Sequence, residues 1–344
     1  MEEQKNVSKS RLLVAALSVV FIIAVVSWLA QKQSAMNYRV CSGVVWTTQY
    51  NITYQSDKLL DDSIQAVFTA VDNSLSMFNK NSLITRINKD EDVPADTMLR
   101  YIYNASVKVN RETDGAFDPT VTPLMKMWGF VQKSGNVPSQ HQIDSVLSFI
   151  GIENTTLNNG YIEKNDSRTA FDFSAIAKGF ACDEIGRMLN RNGVQNYLVE
   201  VGGEISLNGV NNAGNAWRIS VDKPIESNGM PMHENALVVS MNCGGIATSG
   251  NYRNFNIVEG QKVVHTMNPK TGYPEETNLL SATIIAENCM LADAYATACM
   301  VMGVERSKQL LERSIEIAGF LIYSNETDTL AMWCNNKFEE YVNK

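Results

Sequence analysis

The sequence predicts an α+β protein with mixed, largely antiparallel sheets and flanking helices, preceded by one N-terminal transmembrane helix. Segments with helical and with strand-like spacing of apolar residues are mixed along the chain, and the strand-like runs of its second half are short and broken by Gly, Asn and Pro. This order favours helices packed on mostly antiparallel strands. The transmembrane helix is predicted from an uncharged run near the start of the chain.

Residues 1–36 are interpreted as a cytoplasmic N-terminus and a membrane anchor, with a helix from about residue 12 to residue 30. The run 12–30 contains no charged residue, and its length is close to the roughly 20 residues that cross a bilayer as a helix. Lys5, Lys9 and Arg11 precede this run, which predicts that the N-terminus stays in the cytoplasm.

Residues 37–344 are therefore expected to form one exported domain on the periplasmic (extracytoplasmic) side of the inner membrane, held there by a single span. A cleavable signal peptide is the alternative. The uncharged run is long for such a peptide, and Trp28 does not suit the small-residue position before a cut after Ala30. We therefore favour an uncleaved anchor.

Charge and cysteine spacing argue against several classes of function. The net charge is −8 and no basic run follows the anchor, whereas nucleic-acid binding normally needs a positive surface. The six cysteines are scattered without CxxC pairs, so neither a disulfide framework nor a zinc site is indicated. Cys182, Cys289 and Cys299 lie among apolar residues and are expected to be buried thiols.

In the first half of the chain, apolar residues with helical spacing predict several helices after one initial strand, 44–54. The predicted helices are 57–78, 96–112, 139–150 and 174–192. Ser174 is expected to cap the last of these helices, and Gly193 is expected to end it.

Beyond Gly193 the sequence predicts mainly short strands, with two further helices. The expected strands are 197–201, 204–207, 217–221, 237–241, a hairpin of 253–258 with 262–266, then 280–286, 318–323 and 329–333. The strand 280–286 leads into a helix that contains Asp293, and the second helix covers 304–314.

The segment 290–301 is almost wholly apolar, yet it carries Asp293 and Thr297. Side chains four residues apart lie on the same face of a helix. A lone carboxylate on a buried face is costly unless it is paired or binds a cation, and oxygen ligands on a rigid helix suit Mg²⁺. The alternative is a helix whose polar stripe is hydrogen-bonded to neighbouring backbone.

Four glycine-bearing segments do not resemble the interior of a helix or strand: 114–120, 172–179, 201–204 with 243–250, and 265–274. Glycine lets backbone approach a ligand closely, and the free N–H groups at a helix start attract phosphate. The second segment combines both features, and Lys178 adds a positive charge. The alternative is a set of ordinary turns with a solvated lysine. Neither GxGxxG after a strand nor GxxxxGK[ST] occurs.

Six motifs follow one another in a fixed order between about residues 40 and 335. They are TDGAFDPTV (113–121), FDFSAIAKG (171–179), VGGEI (201–205), IATSGNYR (246–253), HTMNPKTGYP (265–274) and ADAYATA (292–298). Together they resemble the ApbE family, the FAD:protein FMN transferases. The resemblance therefore covers essentially the whole exported part of the chain.

This resemblance implies that FAD binds and that Mg²⁺ bridges its pyrophosphate. It implies that the metal is held by Asp293, Thr297 and the backbone carbonyl of Ala175. The implied flavin-site positions are Ala116, Phe117, Asp118, Asp172, Lys178 and Thr266, together with Trp46 and Phe78. Relatives often have methionine at the position of Trp46 and tyrosine at that of Phe78, while Glu204 and Asn268 replace frequent aspartates.

The implied activity is Mg²⁺-dependent transfer of FMN from FAD to a threonine hydroxyl of an acceptor protein, with release of AMP. The implied acceptors are flavin-carrying subunits of membrane redox complexes, such as sodium-pumping NADH:quinone reductase (Nqr) or the Rnf-type complex. His265 lies inside a matched motif and is expected to be the general base; alternatively it only positions its loop. Two other functions stay open, a Mg²⁺-dependent FAD pyrophosphatase giving FMN and AMP, and a non-enzymatic, membrane-tethered FAD-binding protein.

Overall fold

The structure is a computed structural model that describes residues 20–25, 37–130, 137–227, 230–232, 234–250, 255–258, 261–264, 266–275, 277–327 and 329–342. Most of the predicted anchor, 12–30, lies outside these ranges; residues 20–25 are helical and are labelled α1. Within the described ranges, no helix has both the length and the apolar character needed to cross a bilayer.

The strands and helices of the described residues alternate irregularly along the chain. In chain order the strands are β1 (Tyr38–Val45), β2 (Thr48–Gln55), β3 (Thr155–Asn158), β4 (Tyr161–Lys164), β5 (Tyr197–Val201), β6 (Glu204–Asn208), β7 (Trp217–Asp222), β8 (Ile225–Ser227), β9 (Met230–Met232), β10 (Asn235–Met241), β11 (Cys243–Gly250), β12 (Phe255–Val258), β13 (Gln261–Val264), β14 (Leu279–Ala286), β15 (Ala318–Ser324) and β16 (Leu330–Cys334). The helices after α1 are α2 (Asp61–Leu75), α3 (Leu83–Asn88), α4 (Thr97–Glu112), α5 (Thr122–Met127), α6 (Gln140–Leu147), α7 (Ser174–Arg191), α8 (Cys289–Arg313) and α9 (Asn336–Glu339).

The main sheet has the strand order β1-β2-β5-β6-β11-β14-β15-β16. Every neighbouring pair in it is antiparallel, which confirms the predicted α+β class. Successive residues of a strand face opposite sides of a sheet. Accordingly Ile284 of β14 packs in the core that contains α7 and α8, while Ile285 packs with β7, β10 and α9.

Helix α8 lies directly on α7 and on β11 because glycine occupies both contact points. A Cβ atom at Gly179 would lie 2.3 Å from the carbonyl oxygen of Cys289, and one at Gly245 would lie 2.1 Å from the nitrogen of Cys289. Both distances are too short for any side chain. These two glycines therefore set how closely the start of α8 approaches the sheet.

The predicted single strand 44–54 is wrong, because β1 and β2 form a hairpin there. Its two-residue turn consists of Trp46 and Thr47, with φ of 47° and 64°. Positive φ at both positions defines a type I′ turn, which Asn-Gly or Asp-Gly normally occupies. Trp-Thr gives no such turn signal.

The expectation that 243–250 lies outside strand interiors is also wrong, because this segment forms β11, between β6 and β14. Glycine is needed here for the close approach of α8 and not for a loop. The two helices expected around Gly303 are confirmed, and they meet at that residue, whose φ of 71° and ψ of −177° break the helical path.

The other predicted elements agree with the structure to within a few residues, apart from the part of the predicted hairpin 253–266 that lies outside the described residues. Asp96 caps α4 through the N–H of Leu99, and Gly193 follows α7 with φ of 82°. The β3–β4 and β8–β9 hairpins and the short helices α3, α5 and α9 were not predicted. All six cysteines are free thiols, and Cys182, Cys289 and Cys299 are buried as predicted.

Candidate active site

A pocket of about 960 Å³ opens between the β1–β2 turn, the end of α2, the loop before α5, and the helices α7 and α8. The predicted site residues within the described part of the chain all line it, although they come from distant parts of the sequence. They are Trp46, Phe78, Ala116, Phe117, Asp118, Asp172, Ala175, Lys178, Thr266, Asp293 and Thr297. His265 lies outside the described residues, next to the pocket-lining Thr266.

Two buried carboxylates and one lysine form a cluster in this pocket. The Nζ atom of Lys178 lies 3.1 Å from Oε1 of Glu204 and 3.8 Å from Oδ2 of Asp293. The N–H of Gly179 donates to the same Oδ2 atom at 3.1 Å. The close packing of α7 on α8 at Gly179 thus brings the lysine and the aspartate together.

Burial and charge pairing act in opposite directions on these groups. Burial raises the pKa of Asp293, against the attraction of Lys178 and the N–H of Gly179. Burial also raises the pKa of Glu204, to about 7, against the attraction of Lys178. Burial lowers the pKa of Lys178, but Asp293 and Glu204 outweigh this effect and raise it above the ordinary value for lysine. The cluster thus holds one firmly charged ammonium group and two carboxyl groups that are costly to ionise.

The oxygen atoms around this cluster fit a hard divalent cation. Oε2 of Glu204 is buried and accepts no hydrogen bond from the described residues, which is costly for a carboxylate. The hydroxyl of Thr297 lies 3.4 Å from that of Ser249, one helical turn from Asp293. Carboxylate, hydroxyl and carbonyl oxygens are suitable Mg²⁺ ligands, and Mg²⁺ commonly completes its shell with water and phosphate oxygens.

The described residues contain no group of three or more His, Cys, Asp or Glu side chains that could hold a metal ion. The three ligands that the family resemblance implies, Asp293, Thr297 and the backbone carbonyl of Ala175, belong to residues that all line this pocket, and Ala175 lies in the first turn of α7. Such a set leaves coordination positions for a ligand.

Two other pocket carboxylates hold the loops that carry them. Oδ1 of Asp118 accepts from the N–H of Thr120 at 2.8 Å and from its hydroxyl at 2.6 Å, and Oδ2 accepts from the N–H of Ile152 at 3.1 Å. Burial raises the pKa of Asp118 to about 6. Oδ1 of Asp172 accepts from the N–H of Ser174 at 2.8 Å and from its hydroxyl. The prediction that Ser174 caps α7 is therefore wrong: Ser174 begins the helix, and Asp172 satisfies its N–H.

The opposite wall is aromatic and is held by one carboxylate of α2. Nε1 of Trp46 donates to Oδ1 of Asp72 at 3.1 Å, and Nδ2 of Asn79 donates to Oδ2 at 2.8 Å. Asp72 thereby joins the β1–β2 turn to the loop that carries Phe78. The side chain of Phe78 is 77% exposed, so its ring can contact a flat ligand at the mouth of the pocket.

The pocket residues that were not predicted from the sequence include Glu204, Asp72 and Ser249, which make the contacts described above. Glu204 was visible in the VGGEI motif, whose glycines marked it as a place of close approach. Asp72 gave no signal, because an aspartate on the polar side of an amphipathic helix is ordinary. Ser249 was hidden in a segment that was interpreted as a loop.

Comparisons with known proteins agree on one family. A family model described as the ApbE family matches residues 46–321. The FAD:protein FMN transferase of Escherichia coli (strain K12) is 34% identical over 296 residues, which are 82% of this chain and 82% of that protein. The FAD:protein FMN transferase of Vibrio cholerae serotype O1 is 31% identical over 314 residues, 88% of this chain and 92% of that protein.

Solved structures with the same fold carry matching names. The flavin transferase ApbE from Vibrio cholerae superposes with a TM-score of 0.79 at 30% identity, covering 89% of this chain and 100% of that one. The apo form of the Pseudomonas stutzeri flavinyl transferase ApbE gives a TM-score of 0.80 at 28% identity, with 89% and 97% covered. From the family match and the similarity over most of its length, the chain belongs to the ApbE family.

Proposed function

We propose that this protein transfers FMN from FAD to a threonine hydroxyl of an acceptor protein and releases AMP. Its membership of the ApbE family and the names of its relatives support the reaction. The observation that carries the proposal is the cluster of Lys178, Asp293 and Glu204 in a pocket large enough for a dinucleotide. This cluster combines a cation that can contact phosphate with oxygen atoms that can hold a metal.

In the proposed reaction the acceptor hydroxyl oxygen forms a bond to the phosphorus of the FMN half of FAD. The bond between that phosphorus and the bridging oxygen breaks, AMP leaves, and the hydroxyl proton passes to a base. Lys178 stabilises the negative charge that develops on the phosphate oxygens. We assign the proton transfer to His265, which precedes the pocket-lining Thr266.

The residues proposed to hold Mg²⁺ are Asp293, Thr297 and the backbone carbonyl of Ala175. When bound, the ion would neutralise charge on the pyrophosphate. Glu204 holds Lys178 from the other side, so that the ammonium group stays in the pocket. The flavin ring is assigned to the wall formed by Trp46, Phe78, Ala116, Phe117 and Thr266.

We also propose that residues 12–30 anchor the protein in the inner membrane, with the catalytic domain on the periplasmic side. The support for this is the uncharged run and the basic residues before it. An enzyme facing outward needs acceptors on that side. Flavin-carrying subunits of Nqr-type or Rnf-type complexes are the proposed partners.

Mass spectrometry of an unflavinylated Rnf-type acceptor subunit, incubated with this protein, FAD and Mg²⁺, tests the proposal. We expect the acceptor to gain the mass of FMN less one water, with one AMP formed for each acceptor modified. Free FMN in place of a modified acceptor would instead support FAD hydrolysis. FAD that binds without Mg²⁺ and stays intact would indicate a binding protein.

A further inference from the structure

The outer edge of β1 has no role in the mechanism above, yet it leads directly to the pocket. β1 stands at one end of the main sheet, and none of the described residues pairs with its outer side. The strand is followed without a break by Trp46 and Thr47, and both residues line the pocket. A chain lying along this edge therefore reaches the pocket mouth at the β1–β2 turn.

The turn determines which backbone groups of β1 face outward. Val45 and Thr48 flank a two-residue turn and so exchange backbone hydrogen bonds, and such pairs alternate along an antiparallel ladder. At the other end of the hairpin the N–H of Ser56 donates to the carbonyl of Asn37 at 3.1 Å, which fits the same alternation. The β1 residues between these ends whose N–H and C=O groups point away from β2 are Tyr38, Val40, Ser42 and Val44, of which the last three are exposed.

The side chains at these positions leave the edge open. Val40 is 67% exposed and Val44 is 72% exposed, and Ser42 between them is also exposed. Natural proteins usually protect an edge strand with lysine, proline, a bulge or a very short strand. β1 has eight residues, contains neither lysine nor proline, and pairs with β2 in a continuous register. Its one charged side chain, Arg39, donates to the carbonyl oxygens of Ser56 and Asp57 at the far end of the hairpin from the pocket. An open, regular edge of this kind is a template for an added strand.

We propose that the acceptor protein docks by adding an extended segment to the outer edge of β1, so that its threonine passes the Trp46–Thr47 turn and enters the pocket. The inference rests on the proposed function, because it is the protein substrate that needs a docking surface continuous with the pocket. Backbone hydrogen bonds to the edge would supply affinity, and alternate side chains of the segment would pack on Val40 and Val44.

The opposite edge of the main sheet provides a matched control. β16 supplies no residue to the pocket. Next to it the N–H of Asn325 donates to the carbonyl of Thr329 at 2.9 Å. By the same alternation the pair Ile322–Met332 is not hydrogen-bonded, so the N–H of Met332 faces outward.

The test uses the full-length protein and an Rnf-type acceptor subunit that the wild-type protein flavinylates. Ser42→Pro removes one outward N–H without removing a hydrogen bond to β2. We expect the KM for the acceptor to rise about tenfold, because an acceptor carbonyl loses its partner and the proline ring hinders pairing. The kcat and the affinity for FAD should stay at wild-type values. Met332→Pro should leave the acceptor KM unchanged.

A second variant covers the case in which Ser42→Pro does not fold. The double substitution Val40→Lys with Val44→Lys keeps the backbone and places charges on the edge, and it should raise the acceptor KM as well. A wild-type KM in either folded variant overturns the proposal, and so does an equal rise with Met332→Pro. A loss of self-association with no change in KM would assign the edge to a second copy. Absence of transfer by the wild-type protein contradicts the proposed function itself, and this is seen before any variant is compared.

Discussion

At the scale of single residues, the cluster in the pocket contains two buried acidic side chains and only one basic side chain. Lys178 lies between Glu204 and Asp293, and burial raises the pKa of both carboxyl groups. One ammonium group cannot fully compensate two ionised carboxylates. The arrangement therefore favours a ligand that brings a cation to the carboxylates and phosphate oxygens to the lysine.

Replacing Lys178 with Gln should lower the kcat for FMN transfer about 100-fold to 1000-fold, the usual effect of removing a fixed group that stabilises charge in the transition state. Lys178→Arg should retain part of the activity because it keeps the charge. The rate of acceptor flavinylation at saturating FAD measures both. Lys308→Gln, which removes an ion pair with Glu305 outside the pocket, is the control. A fall of less than about tenfold in Lys178→Gln would exclude Lys178 from charge stabilisation.

Asp183 is a buried carboxylate that takes no part in the proposed reaction. Its raised pKa predicts that the free energy of unfolding depends on pH. Asp183 accepts the N–H groups of Cys289 and Met290 at 3.0 and 2.8 Å and so satisfies the start of α8. Burial raises its pKa to about 6, whereas an unfolded aspartate titrates at about 3.9. Between these values the folded state binds more protons, so the free energy of unfolding falls as the pH rises from about 4 to about 6 and is constant above.

Urea unfolding of the wild type and of Asp183→Asn at several pH values measures this effect, because the Asn variant lacks the titrating group. Relative to the variant, the wild type should lose on the order of 3 kcal/mol between pH values of about 4 and 7. A stability difference that does not depend on pH would show that Asp183 titrates alike in both states.

At the scale of elements, the contact of α7 with α8 determines the geometry of the site. Lys178 and Gly179 lie on α7, and Asp293 lies on α8. The N–H of Gly179 binds the Asp293 carboxylate directly, so a shift of one helix against the other moves the lysine away from the aspartate. At the mouth of the pocket, the turn that follows the edge strand β1 carries Trp46 and so sets the position of this side chain.

Gly179→Ala should destabilise the fold by about 1–3 kcal/mol, the usual cost of overpacking. The new Cβ would lie 2.3 Å from backbone of α8, which cannot move without displacing Asp293. Gly186→Ala on the same helix is the matched control. There the Cβ would meet the hydroxyl of Tyr197 at 2.9 Å, an atom at the end of a side chain. Urea unfolding compares the two variants, and equal stability would contradict the assigned role of the α7–α8 contact.

At the scale of the whole molecule, a single pocket joins parts of the chain that lie up to about 250 residues apart, from Trp46 to Val301. A ligand that contacts all of these walls connects them and should stabilise the domain as a unit. Binding to the folded state alone stabilises in proportion to the logarithm of ligand concentration.

FAD with Mg²⁺ should therefore raise the Tm by on the order of 5 °C at about 100 times the Kd, and a chelator should remove most of this rise. Differential scanning fluorimetry measures it. Asp293→Asn should reduce the dependence on Mg²⁺, while Asp144→Asn, on the exposed face of α6, should not. An equal rise in Tm with and without the chelator would contradict the assigned metal ligands.

The sequence by itself determined the fold class, most helices, many strands, and a set of polar and aromatic residues that the structure places around one pocket. These features depend on local periodicity and short motifs, which are readable from neighbouring residues. The ApbE resemblance was also present in the sequence, because its motifs keep their order.

The tertiary structure alone decided which groups meet. Glu204 reaches Lys178, Asp183 caps a helix that begins 106 residues later, and β11 is a strand although its glycines suggested a loop. The turn at Trp46–Thr47 was equally hidden, because its positive φ values contradict the preferences of both residues. Each of these features depends on contacts between distant segments, whose packing free energy outweighs the local preference of the residues concerned.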